Sequence, residues 1–169
     1  VKKEWVSSEF KIVNLDVAKG DYNNSEFQLV VRTNSNKKVS FSSRSTIGGY
    51  FGGNRFYNNL TLNVRAGDKF SSSLFINSNN INFDVGDLNA LLGGLRLSYS
   101  FTPRMFIQSL IQYNNVTNLF SVNARYGLIR DANSGLYVVL NIVKDDDISD
   151  YTNYQQITIK YTHTFDILR

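Results

Sequence analysis

Residues 95–115 read LRLSYSFTPRMFIQSLIQYNN, and hydrophobicity alternates on both sides of Pro103, the only proline of the chain. Before Pro103, one parity carries Leu95, Leu97, Tyr99 and Phe101, and the other carries Arg96, Ser98 and Ser100. This period of two indicates strands, because successive side chains of a strand point to opposite faces. The stretch therefore predicts two strands with one apolar face, joined at a turn where the missing N–H of proline is tolerated.

The period of two continues over almost the whole chain of 169 residues, and no segment has a convincing helical repeat. No apolar run reaches the ~18 residues that a membrane-spanning helix needs. We predict a single domain, 1–169, of about ten strands. Their ranges are 4–13, 26–33, 38–51, 54–65, 69–79, 91–101, 104–115, 119–130, 135–144 and 155–166. The best helical candidate, 84–94, is interpreted as a loop that leads into a strand.

The predicted connections alternate in length along the chain. Short, turn-like links are expected at 34–37, 66–69, 102–104 and 130–135, and longer ones at 15–25, 79–90 and 145–155, with short exceptions at 52–54 and 115–118. Short turns at one end and longer loops at the other are typical of outer-membrane barrels. The pattern favours a transmembrane antiparallel up-and-down β-barrel.

Composition excludes several classes of protein. A hydrophobic fraction of 42% argues against disorder, and the absence of cysteine removes disulfides and thiolate metal sites. The net charge of +4 comes without any nucleic-acid-binding motif, so no nucleic-acid partner is expected.

Aromatic residues are predicted at both ends of the apolar stripes. Phe41, Phe70, Phe101, Tyr126 and Phe165 are expected near the short-turn rim, and Phe51, Phe56, Tyr113 and Phe120 near the long-loop rim. Two such girdles are expected where rings lie at membrane interfaces. A soluble ligand-binding barrel with the apolar stripes turned inward also explains the alternation, but it does not predict aromatics at both rims.

Basic residues share the polar parity of their strands. They are Lys11, Arg32, Arg44, Arg65, Arg96, Arg125 and Lys160. In a membrane barrel they line the lumen, where charges are tolerated. They either attract anions or an acidic segment, or they fill a narrow barrel by hydrogen bonding to inner-wall polar groups.

Catalytic chemistry is not expected. The acidic run 144–150 lacks the spacing of a defined calcium loop, and His163, the only histidine, falls on outward parity. Without a nucleophile system, a metal cluster or a cofactor motif, we predict that the chain is not an enzyme and holds no metal or cofactor.

Residues 95–141 resemble the C-terminal barrel segment of a family of large bacterial outer-membrane proteins of unassigned function, which carry a carbohydrate-binding-like N-terminal domain. The resemblance lies in Tyr99–Arg104 (YSFTPR), Gln112–Asn114 (QYN), Asn123–Arg125 (NAR) and Leu136–Val139 (LYVV). It implies an outer-membrane location, no established reaction, and that the chain is either a complete barrel or the C-terminal part of a larger one.

The expected function is that of an integral outer-membrane component, structural or assembly-related, with a narrow, mildly cationic lumen. Its expected partners are the lipid bilayer, the barrel-assembly machinery acting through the C-terminal strand, and other outer-membrane or surface proteins. The alternatives are a small anion-preferring pore or uptake channel and a soluble ligand-binding barrel.

Overall fold

The structure is a computed structural model that describes residues 1–13, 15–84, 86–131, 134–145 and 153–164. These residues form thirteen strands. The strands are β1 (Lys2–Val6), β2 (Phe10–Ile12), β3 (Leu15–Val17), β4 (Gly20–Asn24), β5 (Glu26–Arg32), β6 (Val39–Tyr50), β7 (Gly53–Ala66), β8 (Phe70–Phe83), β9 (Gly86–Thr102), β10 (Met105–Asn114), β11 (Leu119–Asp131), β12 (Ser134–Asp145) and β13 (Tyr154–Thr162). Within the described ranges, no helix has the length and apolar character needed to cross a membrane.

A nine-stranded antiparallel sheet dominates the fold. Its strands follow chain order from β5 to β13, so each strand pairs with its neighbours in sequence. The prediction of an all-β antiparallel meander is confirmed, and the nine strands predicted from residue 26 onward correspond to β5–β13. The sheet is open, with β5 at one edge and β13 at the other. We call the ends with the turns after β5, β7, β9 and β11 the lower rim, and the opposite ends the upper rim.

The N-terminal strand was predicted wrongly. Residues 4–13 are divided between β1 and β2, and the predicted loop 15–25 contains β3 and β4. β1 pairs with β4 and β2 with β3, so residues 2–24 form a bent hairpin separate from the large sheet. The polar residues that made 15–25 look like a loop are paired across this hairpin, as Lys11 and Asp16 are at 3.4 Å.

The predicted loop 79–90 is also wrong, as is the interpretation of 84–90 as loop. β8 continues to Phe83 and β9 begins at Gly86, with Phe83 directly opposite Gly86 in a tight hairpin. Asparagine is depleted in strands, so Asn79, Asn80 and Asn82 favoured the prediction of a loop. The ladder nevertheless holds these residues in strand conformation. The expected contrast between short turns and long loops therefore fails at this connection. The predicted loop 145–155 and the turn 130–135 lie partly outside the described residues.

The strands of the large sheet are strongly staggered. Directly opposite residues lead from Arg32 through Ser42, Thr61, Phe75, Gly94, Gln112, Ser121 and Val143 to Tyr154. Arg32 ends β5 at the lower rim, whereas Tyr154 begins β13 at the upper rim, eight residues before Thr162. With ~3.3 Å per residue and ~4.8 Å between strands, this stagger corresponds to a strand tilt of roughly 35°. Closure of a sheet into a barrel requires a stagger of this kind.

The N-terminal hairpin packs on the upper rim. The buried aliphatic side chains of the described residues are Val6, Leu15, Val17 and Ile81. Ile81 lies on β8, and the other three lie in the hairpin. Rings of Phe10, Tyr22 and Tyr50 surround Phe51, the tip of the β6–β7 turn, at centroid distances of 4.7–5.5 Å. Because the small core lies here, the large sheet has no second layer over either of its faces elsewhere in the described ranges.

Gly48 on β6 lies against the junction between β4 and β5, and its lack of a side chain should be important for stability. A Cβ at Gly48 would lie 2.2 Å from the backbone oxygen of Ser25 and 2.6 Å from the Cα of Glu26, and backbone cannot move aside cheaply. Gly48→Ala should lower the free energy of unfolding by about 2 kcal/mol through overpacking, measured as a lower midpoint of thermal unfolding. Gly93→Ala is the matched control because a Cβ there has no atom within 4 Å. Equal midpoints for both variants would contradict this packing.

Candidate functional site

One face of the large sheet carries apolar side chains on all nine strands, exposed on every strand except β12, where they are half-buried. A row of directly opposite residues from β7 to β12 consists of Leu62, Leu74, Leu95, Ile111, Val122 and Ile142. Large apolar side chains on this face have exposed fractions of 37% to 69%. They are Phe27, Leu29, Val31, Val39, Phe41, Ile47, Phe56, Leu62, Leu74, Leu91, Tyr99, Ile107, Tyr113, Phe120, Leu128, Ile157, Ile159 and Tyr161. We call this surface the apolar face.

The size of the apolar face sets it apart from an ordinary protein surface. Nine strands at ~4.8 Å spacing and a stripe ~25 Å high give roughly 1,000 Å². The largest apolar patch on a typical soluble monomer covers about 300–600 Å², and larger patches mark protein or membrane contacts. The face therefore needs an apolar environment.

The opposite face, the polar face, is lined mainly by hydroxyl, amide and guanidinium groups. Asn59 donates to Asn77 at 2.6 Å, Gln28 donates to Thr46 at 3.2 Å, and Asn123 donates to Asn141. Thr46 is only 6% exposed although no second layer covers it. Neighbouring side chains on one sheet crowd each other where the sheet is concave, so this burial indicates that the sheet curls toward the polar face.

Six of the seven predicted lumen cations lie on the polar face. They are Arg32, Arg44, Arg65, Arg96, Arg125 and Lys160, each directly opposite residues of polar parity. The seventh, Lys11, does not, because it belongs to β2 in the N-terminal hairpin and pairs with Asp16.

Arg55 was missed as a candidate although its parity matched the polar face. Its Nη2 donates to Glu26 Oε1 at 2.8 Å, and its guanidinium lies 4.2 Å from the ring centre of Tyr50. Its Nε is buried and has no hydrogen-bond partner. The neighbouring Glu26 was the signal that could have identified this pair, but only the register Glu26–Gly48–Arg55 brings the two together.

Arg125 is held against two aromatic rings. Its guanidinium carbon lies 4.6 Å from the ring centre of Tyr137 and 5.7 Å from that of Phe106. Phe106 lies over Gly127, where a Cβ would come within 2.4 Å of the ring. Cation–π contacts of this kind fix the plane of a guanidinium while leaving its edge free to donate.

Arg96 and Arg125 border one depression of about 260 Å³ on the polar face, together with Ser98, Gln108 and Asn123. Gln108 on β10 is directly opposite Arg125 on one side and Ser98 on the other, and Arg96 is opposite Leu110 on the same strand. Neither arginine forms an ion pair with any described residue. The depression thus presents donors and no carboxylate, an arrangement that suits an anion.

Most predicted interface aromatics lie on the apolar face. Phe41 and Phe70 lie toward the lower rim, and Phe56, Tyr113 and Phe120 toward the upper rim. Tyr126 also lies on this face, directly opposite Ile107 and Val138. Phe101 packs edge-on against Tyr99 near the lower rim.

Two aromatic predictions need separate comment. Phe51 lies at the upper rim, but it packs inside the cluster of the N-terminal hairpin and does not stand on the apolar face. Phe165 lies outside the described residues. His163 stacks with Tyr161 at a centroid distance of 6.3 Å, close to the lower rim.

Metal and proton chemistry have little basis in the described ranges. No group of three or more His, Cys, Asp or Glu side chains is placed there to hold a metal ion, and most of 144–150 lies outside those ranges. The pKa of Lys2 is raised, chiefly by its hydrogen bond to Glu4. Lys2 stays protonated at neutral pH in either case, so this shift gives no pH-dependent function.

Comparison with protein-family models, with curated proteins and with solved structures finds no match to this chain. The functional argument therefore rests on the two faces of the sheet and on its edges.

The side chains of Arg55 and Glu26 should be energetically coupled, whereas those of Lys11 and Asp16 should not. The side chains of Arg55 and Glu26 are 24% and 30% exposed, whereas those of Lys11 and Asp16 are 68% and 69% exposed. In a double-mutant cycle of Arg55→Gln and Glu26→Gln, we expect a coupling of about 1 kcal/mol in unfolding free energy. The cycle of Lys11→Gln and Asp16→Asn should give nearly zero. A reversed order would contradict the partly buried placement of the Arg55–Glu26 pair.

Proposed function

We propose that the chain forms the wall of an outer-membrane β-barrel, with the apolar face toward lipid and the polar face toward a narrow, mildly cationic lumen. The observation that carries this proposal is the apolar face, which has exposed large apolar side chains on every strand of the sheet except β12. The role is structural or assembly-related, without catalysis. This also agrees with the resemblance of residues 95–141 to an outer-membrane barrel segment.

The height of the apolar face supports a lipid environment. On β9 it extends from Leu91 to Tyr99, and on β11 from Phe120 to Leu128. Eight residue intervals at ~3.3 Å, tilted by roughly 35°, span about 22 Å of membrane thickness. The apolar band of outer-membrane barrels is about 25 Å tall.

The curvature favours a membrane barrel over a soluble ligand-binding barrel. A soluble barrel turns its apolar stripes inward, to the concave side. In this sheet the crowded side is the polar one, where Ser40 and Thr46 of β6 are each 6% exposed, while Phe41 and Ile47 on the apolar face of the same strand are 37% and 56% exposed. Curling in this direction puts the apolar side chains outside.

The partners in this proposal are the lipid bilayer of the bacterial outer membrane and the machinery that inserts barrels there. The machinery would act through the C-terminal strand β13, whose apolar face carries Ile157, Ile159 and Tyr161. Other outer-membrane or surface proteins are proposed to contact the upper rim, where the N-terminal hairpin is exposed.

The proposal is tested by folding into lipid vesicles. The chain should insert, resist carbonate extraction and migrate differently on a denaturing gel before and after boiling. Leu95→Arg, in the middle of the apolar face, should lower the free energy of unfolding by ~2–4 kcal/mol and block insertion. Ser98→Arg, on the polar face of the same strand, is the matched control and should insert. A monodisperse monomer in buffer without detergent would overturn the membrane proposal.

A small anion-preferring pore is the second candidate function, and the depression bordered by Arg96 and Arg125 favours it. We expect planar-bilayer conductance steps that prefer anions, since Arg96 and Arg125 have no carboxylate partner among the described residues. Arg96→Gln combined with Arg125→Gln should reduce the anion-to-cation permeability ratio. Lys11→Gln, away from the large sheet, should leave the ratio unchanged. Absence of steps would reject the pore and leave the structural role.

A further inference from the structure

The large sheet ends in two edges of the same polarity. β5 is the first strand and β13 the ninth of an antiparallel meander, so both run from the upper to the lower rim. Every residue of β5 is exposed, and so is every residue of β13 except Thr162. Direct pairing of these edges would be parallel. Parallel ladders are slightly less stable per residue, and bacterial single-chain barrels have an even number of antiparallel strands.

The path of β1 marks the missing position. β4 continues into β5 after the single residue Ser25, and β1 pairs with β4 so that Lys2 is directly opposite Asn24. Gly49 of β6 donates its N–H to the oxygen of Ser25 at 3.0 Å, so β6 already occupies that edge. β1 therefore lies along the other edge, in line with the free edge of β5. β1 runs in the direction from the lower rim to the upper rim, antiparallel to both β5 and β13.

We propose that the gap between β5 and β13 accepts one β-strand that lies in line with β1 and is antiparallel to both edges. This inference rests on the proposed barrel. The strand needs at least seven residues to match Glu26–Arg32. It needs apolar side chains beside Leu29 and Ile159 and polar ones on the other parity, since the two faces of the sheet continue through it.

Charge specifies the strand further. Arg32 and Lys160 lie on the polar face near the lower rim, one on each side of the gap, and neither forms an ion pair with a described residue. The N-terminal end of the incoming strand lies at this rim. A Glu or Asp near that end, on the polar parity, would face both cations. The partner is thus an alternating strand with an acidic residue near its N-terminus.

A disulfide experiment measures the width of the gap. Gln28 and Thr158 lie on the polar face, each four residues from the lower end of its strand, and the chain has no cysteine of its own. With one strand between β5 and β13, the two Cα atoms are about 10 Å apart, beyond the ~7 Å limit for a disulfide. Gln28→Cys with Thr158→Cys should therefore form no intramolecular disulfide in the detergent-folded protein. Asn123→Cys with Asn141→Cys, directly opposite on paired strands, is the positive control.

A peptide experiment tests the occupant. The probe is a synthetic nine-residue strand that alternates valine or leucine with serine or threonine and has glutamate at its second position. It should bind the detergent-folded protein, measured by fluorescence anisotropy, and replacement of its glutamate by lysine should weaken binding about tenfold. A cysteine at its N-terminal end should cross-link to Val31→Cys and not to Phe27→Cys, which lies toward the upper rim.

Three results would overturn the proposal. An intramolecular Gln28→Cys–Thr158→Cys disulfide would indicate parallel self-closure. A Gln28→Cys-linked dimer that excludes the peptide would indicate a second copy of the chain at this edge. Failure of the peptide to bind, or cross-linking in the opposite orientation, would also reject it. Failure of the barrel proposal is seen separately, as a chain that does not insert into vesicles.

Discussion

The antiparallel ladder between neighbouring strands is the constraint on which the structure depends. Because every strand of the large sheet pairs with its sequence neighbours, the register of each hairpin fixes which parity faces which side. A slip of one residue would exchange the two faces of that strand. The unbroken row from Leu62 to Ile142 shows that the same parity is kept from β7 to β12. Two surfaces of opposite chemistry follow from that register alone.

The groups that line the polar face explain why arginine is tolerated there. Each guanidinium carries several donors and a flat surface, and the wall provides matching groups, as the ring of Tyr137 does for Arg125 and the carboxylate of Glu26 does for Arg55. Small residues make room for the rings, since Gly127 has no Cβ to collide with Phe106. Arg125 is therefore held in place by its surroundings, and the charges of Arg96 and Arg125 remain without an acidic partner in the described residues.

Much of the sheet could be predicted from the sequence, because a period of two is a direct consequence of strand geometry. The position of six basic residues on the polar face followed from parity alone. What could not be predicted depends on tertiary contacts: the hairpin of residues 2–24 needs the ladder between β1 and β4, and the β8–β9 turn needs Gly86 beside Phe83. The asparagine-rich composition of residues 79–82 predicts a loop, whereas pairing with the neighbouring strands on both sides keeps these residues in a strand. The Arg55–Glu26 pair also depends on register across two ladders.

The direction of the two edge strands constrains how a barrel could be completed from this sheet more strongly than the number of strands does. A meander with nine strands has edges of equal direction whatever its sequence, so direct pairing of β5 with β13 would give a parallel ladder and not an antiparallel one. Unpaired edges are a liability that proteins cover or close, and this is acute in lipid, where a free N–H has no water to bond. β1 already provides the required direction beside β4. The geometry of the N-terminal hairpin and the polarity of the two edges thus point to the same position, along the outer edge of β5.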